Sequence, residues 1–91
     1  MEAKFIQAWE QARNQATALG VRIRPVEGMD QAHRILSGHK ESDGFSHLAK
    51  LGRLDLSLEA LAVKKQFTAL FSDEQANNAL MRLMDAGYGF K

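Results

Sequence analysis

The stretch from residue 42 to residue 71 constrains the fold most, because it holds the densest run of large apolar side chains in the chain. Its apolar spine comprises Leu48, Leu51, Leu54, Leu58, Leu61 and Phe67. Burying apolar surface is the main favourable contribution to folding, so residues of this kind leave water when a chain folds. We therefore expect these side chains to form the centre of one core, with the rest of the chain packed around them.

The secondary structure of this stretch is ambiguous at its middle. Leucines alternate from residue 54 to residue 58, as in a strand, and apolar residues then continue at a helical spacing. Ser57 is a favourable N-cap residue, which supports a helix beginning just after it. We therefore predict a helix over residues 58–70, with a break near residues 64–65, preceded by a shorter helix over residues 44–51.

Apolar periodicity and end signals predict further helices over residues 2–19, 29–37 and 73–86. The first carries a stripe of apolar residues spaced three and four apart. The last begins with Ser72 and Gln75, which have the spacing of a capping box. The predicted fold is all-α or nearly so: a small bundle of four to five helices that forms a single domain over residues 1–91.

A short segment at residues 21–26 departs from the helical pattern. Apolar residues and arginines alternate over residues 21–24, and Pro25 follows, which cannot donate a hydrogen bond to a strand ladder. Two structures fit this pattern. The segment is either an extended connector that packs its apolar side chains on the core, or an edge strand that pairs with a second copy of the chain.

Composition limits the classes of function. The chain of 91 residues has a formal net charge of +1, without the strong basic excess expected of a protein that binds mainly to phosphates. It contains no cysteine, which excludes disulfides and thiolate chemistry and fits a cytoplasmic location. No apolar run approaches the roughly 20 residues that span a bilayer, so we expect no membrane partner.

A nucleic-acid interface is the alternative function that we weigh first. Helices over residues 44–51 and 58–65, joined by a turn at residues 52–57, would form a helix–turn–helix. The candidate nucleic-acid contacts are Arg22, Arg24, Arg34, Lys50, Arg53, Lys64 and Lys65. However, the second helix is mostly apolar and offers little to hydrogen-bond a base edge. Two core helices whose lysines are exposed to solvent explain the sequence of residues 44–65 more simply.

Metal binding and catalysis have weaker support in the sequence. His39, Asp43 and His47 are spaced four apart, which would align them as metal ligands on one helical face. The residues between them favour a loop instead. Close sequence neighbours such as Ser42, Asp43 and His47 rarely adopt the geometry of a catalytic triad. We therefore predict no catalytic residue, no metal, no cofactor and no small-molecule substrate.

A binding role remains once these classes are set aside. The candidate partner contacts are the aromatic residues Trp9, Phe71, Tyr88 and Phe90, because aromatic side chains are enriched at protein interfaces. We predict a small non-catalytic binding protein, such as an adaptor, inhibitor or accessory regulator. It would act through contacts with another protein or through self-association. A helix–turn–helix-like regulator that binds nucleic acid is the alternative.

Overall fold

Helices and their connections make up the whole of the described chain. A computed structural model describes residues 1–88, in which no residue belongs to a strand. Its α-helices are α1 (Glu2–Ala18), α2 (Met29–Ser37), α3 (Phe45–Lys50), α4 (Leu58–Ala62) and α5 (Asp73–Asp85). Single turns of 3₁₀ helix cover Leu54–Leu56 and Thr68–Leu70. The predicted all-α bundle is confirmed.

One core joins these helices, and α4 lies at its centre. All five residues of α4 are buried. α5 packs against both α4 and α2, while α1 packs against α4 and the 3₁₀ turn that precedes it. At the far side of the core the Phe5 ring meets Phe67 and Phe71 edge-on, with ring centroids 5.1 Å apart in each pair.

The predicted helix over residues 58–70 is interrupted, as expected, but the break comes slightly before the predicted residues 64–65. α4 ends at Ala62, and the chain turns before the 3₁₀ helix at Thr68–Leu70. Phe67 and Phe71 are out of phase with the leucines of α4, so one continuous helix could not bury both sets. Breaking the helix brings the two phenylalanines onto Phe5.

The connector between α1 and α2 is extended and unpaired with any strand. Gly20 has φ of 87°, and the Val21 N–H donates to the Ala16 carbonyl at 2.9 Å, which closes the end of α1. Val21 is buried, and Ile23 and Val26 pack against the core. The first of the two predicted structures for this segment, an extended connector, is therefore correct.

Leu51, which was expected in the core, is exposed instead, and so are Leu19 and Met84. Leu19 and Leu51 are the residues just beyond the last turns of α1 and α3, where the chain has already left the helical stripe. Met84 follows the buried Leu83 on α5 and is itself exposed. No helix within residues 1–88 combines the length and the apolar character needed to cross a bilayer.

Candidate functional site

A cavity of about 440 Å³ opens between the extended connector, α2 and the loop over residues 38–43. Its apolar lining consists of Trp9, Ile23, Ile35, Leu56 and Leu58. Charged side chains also line it, and these are Arg24, Glu27, Arg34, Lys40, Glu41 and Asp43. We call this feature the binding cavity. Its volume lies within the range of about 300–1,000 Å³ that is typical of ligand pockets.

A buried ion pair holds the loop that forms one wall of the binding cavity. Glu59 on α4 is fully buried, and its Oε2 lies 3.2 Å from Nη1 of Arg82 on α5. The same carboxylate accepts two hydrogen bonds from Ser42, one from its backbone N–H at 2.9 Å and one from its hydroxyl at 2.5 Å. Glu59 thereby fixes the far end of the loop.

Arg82 fixes the near end of the same loop. Its Nη2 donates to the Gly38 carbonyl at 2.6 Å and to the Ile35 carbonyl at 3.3 Å. Gly38 and Ile35 lie at the end of α2, where helix carbonyls lack partners within the helix. The ion pair therefore joins three parts of the fold, α4, α5 and the end of α2, around a loop that has no regular structure of its own.

The local sequence explains why Glu59 sits inside the protein. Ser57 caps α4 by accepting a hydrogen bond from the Ala60 N–H at 3.1 Å, while its hydroxyl donates to the Leu54 carbonyl at 2.7 Å. The predicted cap is confirmed. It sets the helix directly against α5, so the second residue of α4 faces Arg82. A buried carboxylate is stable only when it is paired and hydrogen-bonded, and Glu59 is both.

The connector forms the opposite wall and is held by exposed polar contacts. Arg24 Nε lies 3.2 Å from Asp43 Oδ2 across the mouth of the cavity. Gln31 on α2 accepts from the Glu27 N–H at 2.7 Å and donates to the Pro25 carbonyl at 3.2 Å. Exposed pairs of this type contribute little to stability. The connector is held mainly by the buried Val21 and by the Arg13 Nε–H, which donates to the Ile23 carbonyl at 3.0 Å.

Only Arg24 and Arg34 of the seven candidate nucleic-acid contacts line the binding cavity. The other five, Arg22, Lys50, Arg53, Lys64 and Lys65, do not line it. Arg53 pairs with Asp55, and the hydrogen bond and charge of that carboxylate raise the pKa of the guanidinium above its ordinary value.

The helix expected to enter a DNA groove does not have the predicted form. It ends at Ala62 rather than residue 65, and all of its residues are buried. α4 therefore offers no side chain to a base edge. Ser42 contacts Glu59, Asp43 contacts Arg24, and Gly44 takes the N-cap position of α3.

The aromatic candidates differ in where they lie. Trp9 and Phe71 are buried in the core, so neither presents a whole ring at the surface. Trp9 nevertheless lines the binding cavity with part of its side chain. Tyr88 is partly buried and packs against the core. Phe90 lies outside the described residues.

The histidines do not form a metal centre in the described structure. Among residues 1–88, no group of three or more histidine, cysteine or acidic side chains is placed to hold a metal ion, and His39 and His47 are both exposed. The third, His33, is part of a polar contact between helices, in which its Nδ1 lies 2.9 Å from Gln75 Oε1.

The sequence analysis did not identify the role of Glu59. One signal could have revealed it: Glu59 is a single charged residue inside the apolar segment Leu58–Ala62. Its partner could not be found in the same way, because Arg82 is one of several basic residues on predicted helices. No family model, no curated protein and no solved structure matches the chain.

Proposed function

We propose that this is a small non-catalytic binding protein that holds a segment of a partner protein in the binding cavity. One observation carries the proposal: a cavity of about 440 Å³ with an apolar lining and a charged rim, in a domain of only 91 residues. In recognition sites, apolar side chains provide contact area and polar groups fix the orientation of the ligand, and this cavity offers both.

The way the walls are held supports the same function. One wall is fixed by the buried pair of Glu59 and Arg82, and the other is anchored by the buried Val21 of the connector. The pair of Arg24 and Asp43 joins the two walls. A site whose walls are both tied to the core is formed before a ligand binds. Preformed sites lose less conformational entropy on binding, which favours affinity. An adaptor, inhibitor or accessory regulator in the cytoplasm fits this design.

Self-association is the form of this function in which the partner is a second copy of the chain. The exposed apolar residues Met81 and Met84, each 61% accessible on α5, offer a second surface for it. They lie outside the binding cavity. An interface between copies that uses α5 is therefore distinguishable by mutation from one that uses the cavity.

A selection of displayed random peptides against the immobilised protein tests the proposal. The blocking variant is Ile35→Trp, which enlarges a partly buried side chain in the cavity lining. The matched control is Ile6→Trp, the same change at a partly buried position on α1 that does not line the cavity. Thermal unfolding monitored by circular dichroism establishes that both variants fold.

We expect the selected peptides to bind the wild type and Ile6→Trp alike, and to lose at least about tenfold in affinity for Ile35→Trp, the equivalent of 1.4 kcal/mol. Recovery of no binding peptide contradicts the proposal. So does a set of peptides that binds Ile35→Trp as tightly as the wild type, because these peptides would use another surface.

A further inference from the structure

Asp43 and Gly44 are the single place in the chain where an aspartate or asparagine precedes a glycine. At such a pair the glycine nitrogen can attack the side-chain carboxyl carbon and close a five-membered imide ring, since glycine has no Cβ to obstruct the approach. The Asp43 side chain is 44% accessible and lies at the mouth of the binding cavity, paired with Arg24. Water therefore reaches the group that would react.

A tight turn over residues 42–45 places these two residues at its centre. The Phe45 N–H donates to the Ser42 carbonyl at 3.1 Å, which closes the turn. Gly44 has φ of 75° and ψ of 1°, the values of the third residue in a type II turn. The peptide between Asp43 and Gly44 is thus the central peptide of the turn.

No protein hydrogen bond holds this central peptide. Within residues 1–88, neither the Asp43 carbonyl nor the Gly44 N–H makes a hydrogen bond to the protein. Turns of types I and II differ mainly in the orientation of the central peptide, and both are compatible with the hydrogen bond that closes the turn. Rotation of this peptide, which brings the Gly44 nitrogen against the Asp43 carboxyl, therefore breaks no backbone hydrogen bond of the described chain.

We propose that Asp43 is a site of spontaneous conversion to isoaspartate. In the first step the Gly44 nitrogen loses its proton and bonds to Asp43 Cγ, while a carboxyl oxygen leaves as water and the imide forms. In the second step water adds to one of the two imide carbonyls and the C–N bond at that carbon breaks, with a proton returning to the nitrogen. Cleavage at the main-chain carbonyl carbon gives isoaspartate, and cleavage at Cγ restores aspartate.

Arg24 restrains the first step. Its Nε lies 3.2 Å from Asp43 Oδ2, and its backbone N–H donates to the same oxygen at 3.4 Å. An ionised carboxylate in an ion pair is a poor electrophile, because its oxygen leaves as water only after protonation. Exposed pairs of this kind are weak, so this one slows the reaction without preventing it.

The product does not fit the loop in its present form. Isoaspartate lengthens the main chain by one carbon and moves the carboxylate to a new branch. Both neighbours are fixed, since Ser42 is hydrogen-bonded to Glu59 and a Cβ on Gly44 would lie 2.7 Å from Val21 Cγ1. The loop must therefore shift, and the ion pair that joins the two walls of the cavity is lost. This inference does not rest on the proposed function.

The experiment incubates the full chain in H₂¹⁸O at neutral pH, because each passage through the imide leaves one solvent oxygen in the residue. Digestion with trypsin in ordinary water then gives a peptide of residues 41–50, in which Asp43 is the single aspartate, and a peptide of residues 54–64, which contains Asp55. Asp55 is the matched control, since it is also exposed and paired with an arginine but is followed by Leu56. We expect ¹⁸O to accumulate in peptide 41–50, together with an isomer of equal mass that separates by chromatography, and not in peptide 54–64.

Two variants test whether the reaction takes place in the folded chain. Arg24→Gln removes the partner of Asp43, and Arg22→Gln makes the same change at an exposed arginine that has no ion pair within residues 1–88. We expect Arg24→Gln to take up the label about two- to fivefold faster than Arg22→Gln, the factor predicted for loss of an exposed ion pair. Circular dichroism establishes that both variants fold. The unfolded chain lacks the ion pair, so it cannot produce this difference.

Either of two results overturns the inference. Equal labelling of the two wild-type peptides would show that Asp43 reacts no faster than an aspartate that precedes leucine. Equal rates in Arg24→Gln and Arg22→Gln would show that the reaction does not proceed from the folded turn.

Discussion

Glu59 and Arg82 form an ion pair in the interior, with Oε2 and Nη1 3.2 Å apart, and side chains that are 0% and 10% accessible. The pair also hydrogen-bonds to both ends of the loop over residues 38–43. A salt bridge at this depth contributes to stability only if its remaining polar atoms are satisfied. Here they are, and the loop that satisfies them is a wall of the binding cavity.

Glu59→Gln is expected to destabilise the fold strongly. The amide keeps the shape of the side chain but leaves the charge of Arg82 buried without a counter-ion. Removing one partner of a buried pair costs about 3–5 kcal/mol, a large share of the roughly 5–10 kcal/mol expected for a domain of this size. The measurement is the free energy of unfolding from urea denaturation.

The control for this experiment is Asp55→Asn, which removes the partner of Arg53 in an exposed ion pair. Water solvates the charge that remains there, so we expect no measurable change in the urea midpoint. A similar loss of stability in Asp55→Asn and Glu59→Gln would show that the buried position of Glu59 has no special importance.

Hydrogen exchange at Ser42 reports directly on how firmly the loop is held. Its backbone N–H donates to Glu59 Oε2 at 2.9 Å, whereas the Glu41 N–H has no partner within residues 1–88. We expect the Ser42 amide to exchange far more slowly than the Glu41 amide, even though both lie in a loop. Equal exchange rates, followed residue by residue by NMR, would mean that the loop opens freely.

Gly44→Ala is expected to cost more than Gly52→Ala. Both glycines have a positive φ, 75° and 69°, which costs an alanine about 1–2 kcal/mol. A Cβ on Gly44 would lie 2.7 Å from Val21 Cγ1, whereas one on Gly52 meets no atom within 4 Å. Overpacking adds about 1–3 kcal/mol at Gly44. Equal unfolding free energies for the two variants would show that the connector moves enough to relieve the contact between the new Cβ and Val21.

Ser57→Ala and Ser72→Ala compare a buried helix cap with an exposed one. Each serine accepts a hydrogen bond from a backbone N–H at 3.1 Å. Loss of a cap costs about 0.5–2 kcal/mol. We expect the loss of stability in Ser57→Ala to lie near the upper end of this range, because the Ala60 N–H is left buried without a partner. Thermal unfolding measures the stability of both variants. A larger loss of stability in Ser72→Ala than in Ser57→Ala would contradict this ranking.

The sequence was sufficient to predict those helices whose ends carry their own signals. Ser57, Ser72 and Gly20 each mark a boundary through local chemistry, and the structure places boundaries there. The sequence also predicted a break near residues 64–65, and the structure ends α4 slightly earlier, at Ala62, with Phe67 packed against Phe5. The exact end was not predictable, because contacts between residues that lie far apart in the chain leave no local signal.

The same limit applies to the candidate site. The residues between His39 and Asp43 were expected to form a loop, and this loop lines the binding cavity. Trp9 was predicted as a partner contact on the basis of its ring, but the structure buries most of this side chain and places the residue in the lining of the cavity. That distinction depends on how α1 packs beside α4, which the spacing of apolar residues does not specify.

The most direct test of the central claim is to map where a selected peptide changes the NMR signals of the wild-type protein. Our account predicts that the changes concentrate on Trp9, Ile35 and Leu58, with intermolecular contacts from one apolar peptide side chain to these residues. Changes confined to the exposed Met81 and Met84 on α5, with the cavity signals unmoved, would contradict it.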